Sequence, residues 1–262
     1  MSWILLTNDD GVDSPALVPF MAALERLGEV RTVVPDGQRS WIGKALTRFD
    51  PIEVAEVDRA GKTIVTVSGT PADAVQVAAA YFDTPPDLVV AGINLGYNHG
   101  AGYIVSSGTV GACFEGWELG IPAFGFSAGI RGTWIEWYRH MHTEEAVPVW
   151  MRLAELCTEI VEDLLAVEAP GDVVSVNVPW EADLTTPRRV VPPARVTYHQ
   201  LLHRQPDGTF AFRYQEQFGG VPLEGTDVGV NRAGEVAITP LCAPTSPPVA
   251  EHLIARLERR RL

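Results

Sequence analysis

The chain has 262 residues, 46% of them apolar, and a formal net charge of −13. That length and apolar content support a sizeable core, as one large domain or a domain with an arm. The acidic balance excludes duplex nucleic acid as a general partner, while a small anionic substrate stays compatible if a metal neutralises it locally.

Three cysteines, Cys113, Cys157 and Cys242, are widely spaced and form no CxxC. This excludes a disulfide framework or structural zinc and fits buried thiols in a reducing compartment. Met1-Ser2 leads straight into an apolar run, leaving no room for a signal peptide, and no run reaches transmembrane length. A soluble cytoplasmic protein with no membrane partner is expected.

The first apolar run, Ile4-Leu5-Leu6, reads as a buried parallel strand and stops at Thr7-Asn8-Asp9-Asp10-Gly11. Ligands of open parallel sheets sit just beyond the carboxyl ends of such strands. Adjacent carboxylates repel unless a cation lies between them, and oxygen-rich sets suit hard divalent ions. Asn8 to Gly11 also favour a plain turn, so turn and metal site both stay open at this point.

Ser14-Pro15 predicts a helix start, with Leu17, Phe20, Met21, Leu24 and Leu27 at helical spacing and Gly28 as the stop. Val30 to Val34 follows as a strand closed by Pro35-Asp36, giving a βαβ beginning. Residues 36 to 50 show no period and read as a loop over the same edge. Gly37 and Gly43-Lys44 imitate a Walker A loop, but five residues separate the glycines and Ala45 replaces the magnesium-binding hydroxyl. Ile52 to Val57 and Thr63 to Val67 alternate as a hairpin, and Thr70-Pro71-Ala72-Asp73 opens a helix to about Phe82.

Leu88 to Ala91 is a second continuous apolar strand, ending at Gly92. The next stretch places Asn94, Asn98 and His99 among glycines 92, 96, 100 and 102, which permit close approach of a ligand. Ser106-Ser107-Gly108-Thr109 opens a helix over Gly108 to Leu119, a ready anion site at its N-terminus. After a strand from Ile121 to Phe126 comes Gly125-Phe126-Ser127-Ala128-Gly129, which fits the G-x-S-x-G elbow of serine hydrolases. A true elbow needs a helix directly after the serine, and Gly129-Ile130-Arg131-Gly132-Thr133 is poor helix material.

A long amphipathic helix is predicted over Glu144 to Val167 and a buried strand over Val173 to Val178. Val196 to Tyr214 reads as a hairpin about Pro206-Asp207-Gly208, either docking on another subunit or packing on its own chain. A strand over Glu235 to Pro240 and a polar helix over Glu251 to Leu262 close the chain, the arginines of that helix forming a solvated face. The fold class expected is α/β: a Rossmann-like, mostly parallel sheet with helices on both faces, a C-terminal β-hairpin arm and a terminal helix. Residues 1–182 form the core and 183–262 the arm and oligomerisation segment.

Segments Asn8-Asp9-Asp10-Gly11, Gln38-Arg39-Ser40, Gly92 to Gly100, and Ser107-Gly108-Thr109-Val110-Gly111, in this order and spacing, resemble the SurE family (survival protein E). Gly69-Thr70-Pro71-Ala72-Asp73, Gly120-Ile121-Pro122-Ala123, Gly225-Thr226-Asp227 and Ile238-Thr239-Pro240-Leu241 are similar to that family too. The resemblance implies a metal-dependent phosphatase of nucleoside monophosphates. It implies Asp9, Asp10, Ser40 and Asn94 as metal ligands, with Asp9 and Asp10 catalytic, and Asn98, Ser107, Gly108 and Thr109 as phosphate binders. It also implies a homodimer or homotetramer assembled through residues 187–262. The sequence departs from the pattern at Trp41-Ile42-Gly43-Lys44, in the loop Gly100 to Ser107, and at Pro244 and Pro248, where some members carry Asp and His.

The implied ligands are carboxylate, hydroxyl and amide oxygens with no thiolate or imidazole, so Mg²⁺ or Mn²⁺ is expected over zinc. Two alternatives stand beside this reading: a metal-independent esterase using Ser127, and a non-catalytic nucleotide-binding protein.

Overall fold

The structure, a computed structural model, describes residues 2–130, 134–167, 171–214, 218–245, 248, 250 and 256. The helix expected over 251–262 lies outside the described residues apart from Arg256.

The first apolar run forms β1 (Trp3–Thr7), buried throughout. α1 (Leu17–Leu24) starts later than Ser14-Pro15 predict. Ser14 donates its N–H to the Gly11 carbonyl and spends its own carbonyl on Leu17, so this stretch continues the acidic turn instead of capping a helix. β2 (Glu29–Pro35), β3 (Val54–Arg59) and β4 (Lys62–Val67) follow, the last two as the expected antiparallel hairpin, with β4 parallel to β2. α2 (Pro71–Tyr81) opens on a capping box in which the Thr70 and Asp73 side chains each take the other's backbone N–H.

β5 (Leu88–Leu95) runs past the end predicted at Ala91, through an irregularity between Ala91 and Asn94 that contains a cis Gly92–Ile93 peptide. Gly92 has φ 131°, and a Cβ there would lie 2.3 Å from the Phe126 carbonyl oxygen, so only glycine fits. α3 (Ala101–Ser106) occupies part of the stretch read as loop, followed by α4 (Gly108–Glu118) and β6 (Ala123–Gly129). α5 (Trp134–Met141) was not expected. A 3₁₀ turn at Glu144–Ala146 precedes α6 (Val147–Ala166), so the long predicted helix loses its first turn. β7 (Val173–Pro179), β8 (Arg188–Val190), β9 (Leu202–Arg204), β10 (Phe210–Phe212), α7 (Asp227–Arg232) and β11 (Val236–Leu241) complete the described elements. The hairpin β9–β10 is shorter than its predicted range, with three residues in each strand.

One nine-stranded sheet has the order β3-β4-β2-β1-β5-β6-β7-β11-β8. β2, β1, β5, β6 and β7 run parallel, which sends their carboxyl ends to one edge. The expected mostly parallel α/β architecture is therefore the one observed, with β8 and β11 from the C-terminal segment extending the same sheet.

Side-chain alternation along β1 splits the core. Ile4 and Leu6 pack with α1 and α6 on one face, while Trp3 and Leu5 pack with α2 and α4 on the other. Each fully buried Leu or Ile contributes roughly 1.5–3 kcal/mol, which pins the strands that carry the site. Cys113 and Cys157 are buried, as expected, and burial raises their thiol pKa values, whereas Cys242 is exposed. No described helix is long and apolar enough to cross a membrane.

Candidate metal and phosphate site

The acidic turn is built by Asn8. Its Nδ2 donates to the Gly11 carbonyl (3.1 Å) and its Oδ1 accepts the Gly11 N–H (2.9 Å), closing a loop that presents Asp9 and Asp10 beyond β1. Asp9 is only 3% exposed. Its Oδ1 accepts the Thr109 hydroxyl at 2.6 Å, and the backbone N–H groups of Gly108 and Thr109 also bond to it. Close contact demands glycine at 108, since a Cβ there would sit 2.7 Å from the Asp9 Cβ.

Asp10 accepts the Leu95 N–H at 2.9 Å and a side-chain bond from Gln38. Burial raises the pKa of Asp9. Burial, with the charge of Asp9 added, pushes Asp10 up to about 8. No lysine or arginine side chain pairs with either carboxylate among the described residues. One buried and one half-buried acid left without a counter-charge are what a bound cation would satisfy.

The loop after β2 is drawn over this turn by the Arg39 N–H, which donates to the Asp9 carbonyl at 2.7 Å. The Arg39 guanidinium then bonds the Gly69 and Ser68 carbonyls and the Asp36 carboxylate, fixing the loop to the end of β4. Gln38 Nε2 donates to Ser40 Oγ at 3.0 Å, so Ser40 stands beside the group that reaches Asp10. Asn94 lies at the end of β5, with Nδ2 committed to the Gly96 carbonyl at 2.7 Å, which leaves Oδ1 for a cation. Asp9, Asp10, Ser40 and Asn94 thus come to one edge as two carboxylates, a hydroxyl and an amide oxygen. No set of three His, Cys, Asp or Glu converges among the described residues, so a metal here depends on the neutral oxygens as well. The donor set fits a hard divalent ion.

The phosphate candidates divide. Asn98 donates Nδ2 to Ser127 Oγ (2.9 Å) and its backbone N–H to Asn177 Oδ1 (2.8 Å). Ser107 is the N-cap of α4, its Oγ accepting the Val110 N–H at 3.1 Å. Thr109 spends its hydroxyl on Asp9. The Ser107 and Thr109 hydroxyls therefore hold local geometry, and the Gly108 and Thr109 amides at the start of α4 bond to Asp9, so an anion there would share them with that carboxylate.

Ser127 is not an elbow. It lies within β6, is 1% exposed, and accepts a hydrogen bond from Asn98; no helix starts directly after it. Register aligns Asn94 with Ser127 and Ser127 with Asn177 across β5, β6 and β7. Its role is to hold Asn98, and the esterase reading falls on that geometry.

Supports that the sequence reading left without a role include Gln38, Arg39, Asn177 and Asp227. Asp227 accepts N–H groups from Gly100 (2.6 Å), Ala194 (2.8 Å) and Val228 (2.7 Å). A recess of about 640 Å³ lined by Tyr198, His199, Gln200, Leu201, Leu202 and Phe210 lies on the arm, on residues distinct from the carboxylate site.

The Survival protein SurE family model matches residues 4–202. The 5'-nucleotidase SurE of Methanopyrus kandleri is 35% identical over 266 residues, covering 98% of each chain. That of Methanocella arvoryzae is 32% identical over 243 residues, covering 91% of each. The crystal structure of the SurE protein from Aquifex aeolicus matches with a TM-score of 0.73 and 30% identity, covering 97% of this chain and 98% of that one. The matched span takes in the acidic turn, the Ser40 loop, the glycine-rich stretch and the start of α4, and by that match the chain belongs to the SurE family.

Proposed function

We propose that this protein is a divalent-metal-dependent phosphatase that hydrolyses nucleoside monophosphates as a 5'-nucleotidase. The observation that carries the reading is the adjacent carboxylate pair at the end of β1, buried Asp9 and half-buried Asp10, with no cationic side chain among the described residues to offset them. The relatives' shared name, 5'-nucleotidase SurE, supports the substrate class.

In this reading Asp9, Asp10, Ser40 and Asn94 hold Mg²⁺ or Mn²⁺. Such an ion, when bound, would supply charge to offset the phosphate and would acidify water for attack on it. The Asn98 side chain and the start of α4 bind the phosphate, whose oxygens would share the Gly108 and Thr109 amides with Asp9. Asn177 and Ser127 orient Asn98, and the second carboxylate oxygens of Asp9 and Asp10 orient the attacking water. Thr109 keeps Asp9 aimed by holding one of its oxygens.

The protein is proposed to act in the cytoplasm as a homodimer or homotetramer, with residues 183–262 as the assembly segment. Exposed Leu202, Phe210 and Phe212 on the hairpin support that assignment.

The test is phosphate release from AMP and GMP by protein stripped with EDTA, then resupplied with Mn²⁺ or Mg²⁺. Activity that needs the added ion supports the reading. Activity indifferent to EDTA overturns it. Tight mononucleotide binding by calorimetry, without phosphate release under any divalent ion, would instead identify a nucleotide-binding protein.

A further inference from the structure

α5 runs along the rim of the carboxylate site. Tyr138 shares a side-chain hydrogen bond with Gln38, the same side chain that reaches Asp10 and Ser40. Trp134 stacks on Tyr138, with ring centroids 4.6 Å apart and planes at 25°. One face of the indole is thus occupied, yet Trp134 remains 45% exposed. The indole nitrogen also lies beside Gly96: a Cβ on that glycine would be 3.7 Å from Trp134 Nε1 and 3.9 Å from Asn94 Nδ2. A large exposed ring held this near Asn94 has no packing duty equal to its size, because the core contribution of α5 comes from Trp137 and Met141.

We propose that the Trp134–Tyr138 pair is a stacking shelf for the nucleobase of the substrate, and that Trp134 sets the preference for nucleotides over other phosphate monoesters. The inference rests on the phosphatase reading above and extends it to base recognition. Every base has a π-face, so such a shelf favours nucleotides as a class without choosing among bases by hydrogen bonding. A monoester without a base gains nothing from it.

A second aromatic group frames the comparison. Trp41 lies beside Ser40 and is also partly exposed, at 38%, but four rings surround it, Tyr103, Tyr198, Phe212 and Tyr214 at 5.0–6.0 Å, which ties the hairpin arm to the body. These contacts give it a packing duty that Trp134 lacks.

The experiment compares kcat/KM for AMP with that for ribose 5-phosphate, the same ester without its base, in wild type, Trp134→Ala, Trp134→Phe and Trp41→Ala. Trp134→Ala is expected to lower the AMP to ribose 5-phosphate ratio about 5- to 150-fold, mainly through KM for AMP, as stacking on one ring is worth that much. Trp134→Phe restores much of the ratio, and Trp41→Ala leaves it unchanged. Calorimetry with adenosine, which carries no phosphate, is expected to show binding to wild type and its loss in Trp134→Ala. A ratio unchanged in Trp134→Ala, adenosine bound equally by both proteins, or a loss appearing at Trp41→Ala instead overturns the proposal. If wild type hydrolyses neither ester, the phosphatase reading fails and adenosine binding alone decides the shelf.

Discussion

Replacing Asp9 by Asn separates metal binding from folding. The carboxylate is 3% exposed, accepts the Thr109 hydroxyl at 2.6 Å, and has its pKa raised by desolvation. An Asn side chain keeps an oxygen for Thr109 and occupies nearly the same volume, but carries no charge. The metal-free variant should therefore melt no lower than the metal-free wild type, because a desolvated acid has been replaced by a neutral amide. The metal-loaded proteins should differ sharply. At an ion concentration 100 times Kd, binding stabilises the wild type by about 2.7 kcal/mol. For a chain of this size that amounts to a rise of about 5–10 °C, at roughly 2–4 °C per kcal/mol. With one of two carboxylates gone, most of that rise should vanish. Phosphate release should fall by about 10³-fold or more, as expected for losing several kcal/mol of charge stabilisation at 1.36 kcal/mol per decade. Differential scanning fluorimetry with a Mn²⁺ titration and a phosphate assay read the two effects separately. A variant that keeps the full Mn²⁺-induced shift, or full Mn²⁺-dependent hydrolysis, refutes the assignment of Asp9 as a ligand.

His99 supplies a pH test. It is 6% exposed, and burial lowers its pKa to about 4 against an ordinary 6.5, with nearby Arg232 adding to the shift and the bond to Asn231 opposing it. The unfolded chain binds the extra proton between those values, so stability is fully present above about pH 6.5 and is lost as pH falls toward 4, by about 3 kcal/mol. Denaturant titrations at pH 7.5 and 4.5 should show His99→Gln losing less stability than wild type over that interval, and equal losses would remove His99 as the source. Gly108→Ala sets helix propensity against geometry: alanine favours the helix by up to about 1 kcal/mol, but its Cβ would stand 2.7 Å from the Asp9 Cβ. Melting should change by only a few degrees while Mn²⁺-dependent kcat/KM drops about 10- to 100-fold, and unchanged kinetics would show that Asp9 tolerates displacement.

The sheet edge was legible in the sequence because its parts are local. β1 and its acidic turn, the first βαβ unit, and the Ser107 cap of α4 each lie within a short window whose period and end signals agree. α5 escaped although Trp134, Trp137, Tyr138 and Met141 recur at helical spacing. It follows a glycine-containing stretch and consists largely of aromatic residues of modest helix propensity. α3 escaped because Gly100 and Gly102 made a loop the natural reading, whereas Asp227 and Ala194 anchor the backbone there from outside. Asn177 had no signal, and Asp227 stood only in the family-like Gly225-Thr226-Asp227, with no role attached. A lone amide in an apolar strand and a lone acid after a threonine gain meaning only from partners 79 and 127 residues away. Ser127 shows the reverse case, a short pattern that matches a nucleophile motif while its hydroxyl accepts from Asn98 within a strand.

The clamp formed by Asp227 also carries a temporal consequence. Gly100 and Ala194 both surrender their N–H groups to a carboxylate encoded near the end of the chain. During synthesis the acidic turn, the Ser40 loop and the glycine-rich stretch all emerge without it. At about 5–20 residues per second, the 127 residues separating Gly100 from Asp227 take roughly 6–25 s to add. Over that interval β6 and β7 are added to the sheet while the glycine-rich stretch still lacks its clamp. A chain cut short before Asp227 would lack both this clamp and β11, the strand that joins β8 to the sheet, and is expected to release no phosphate.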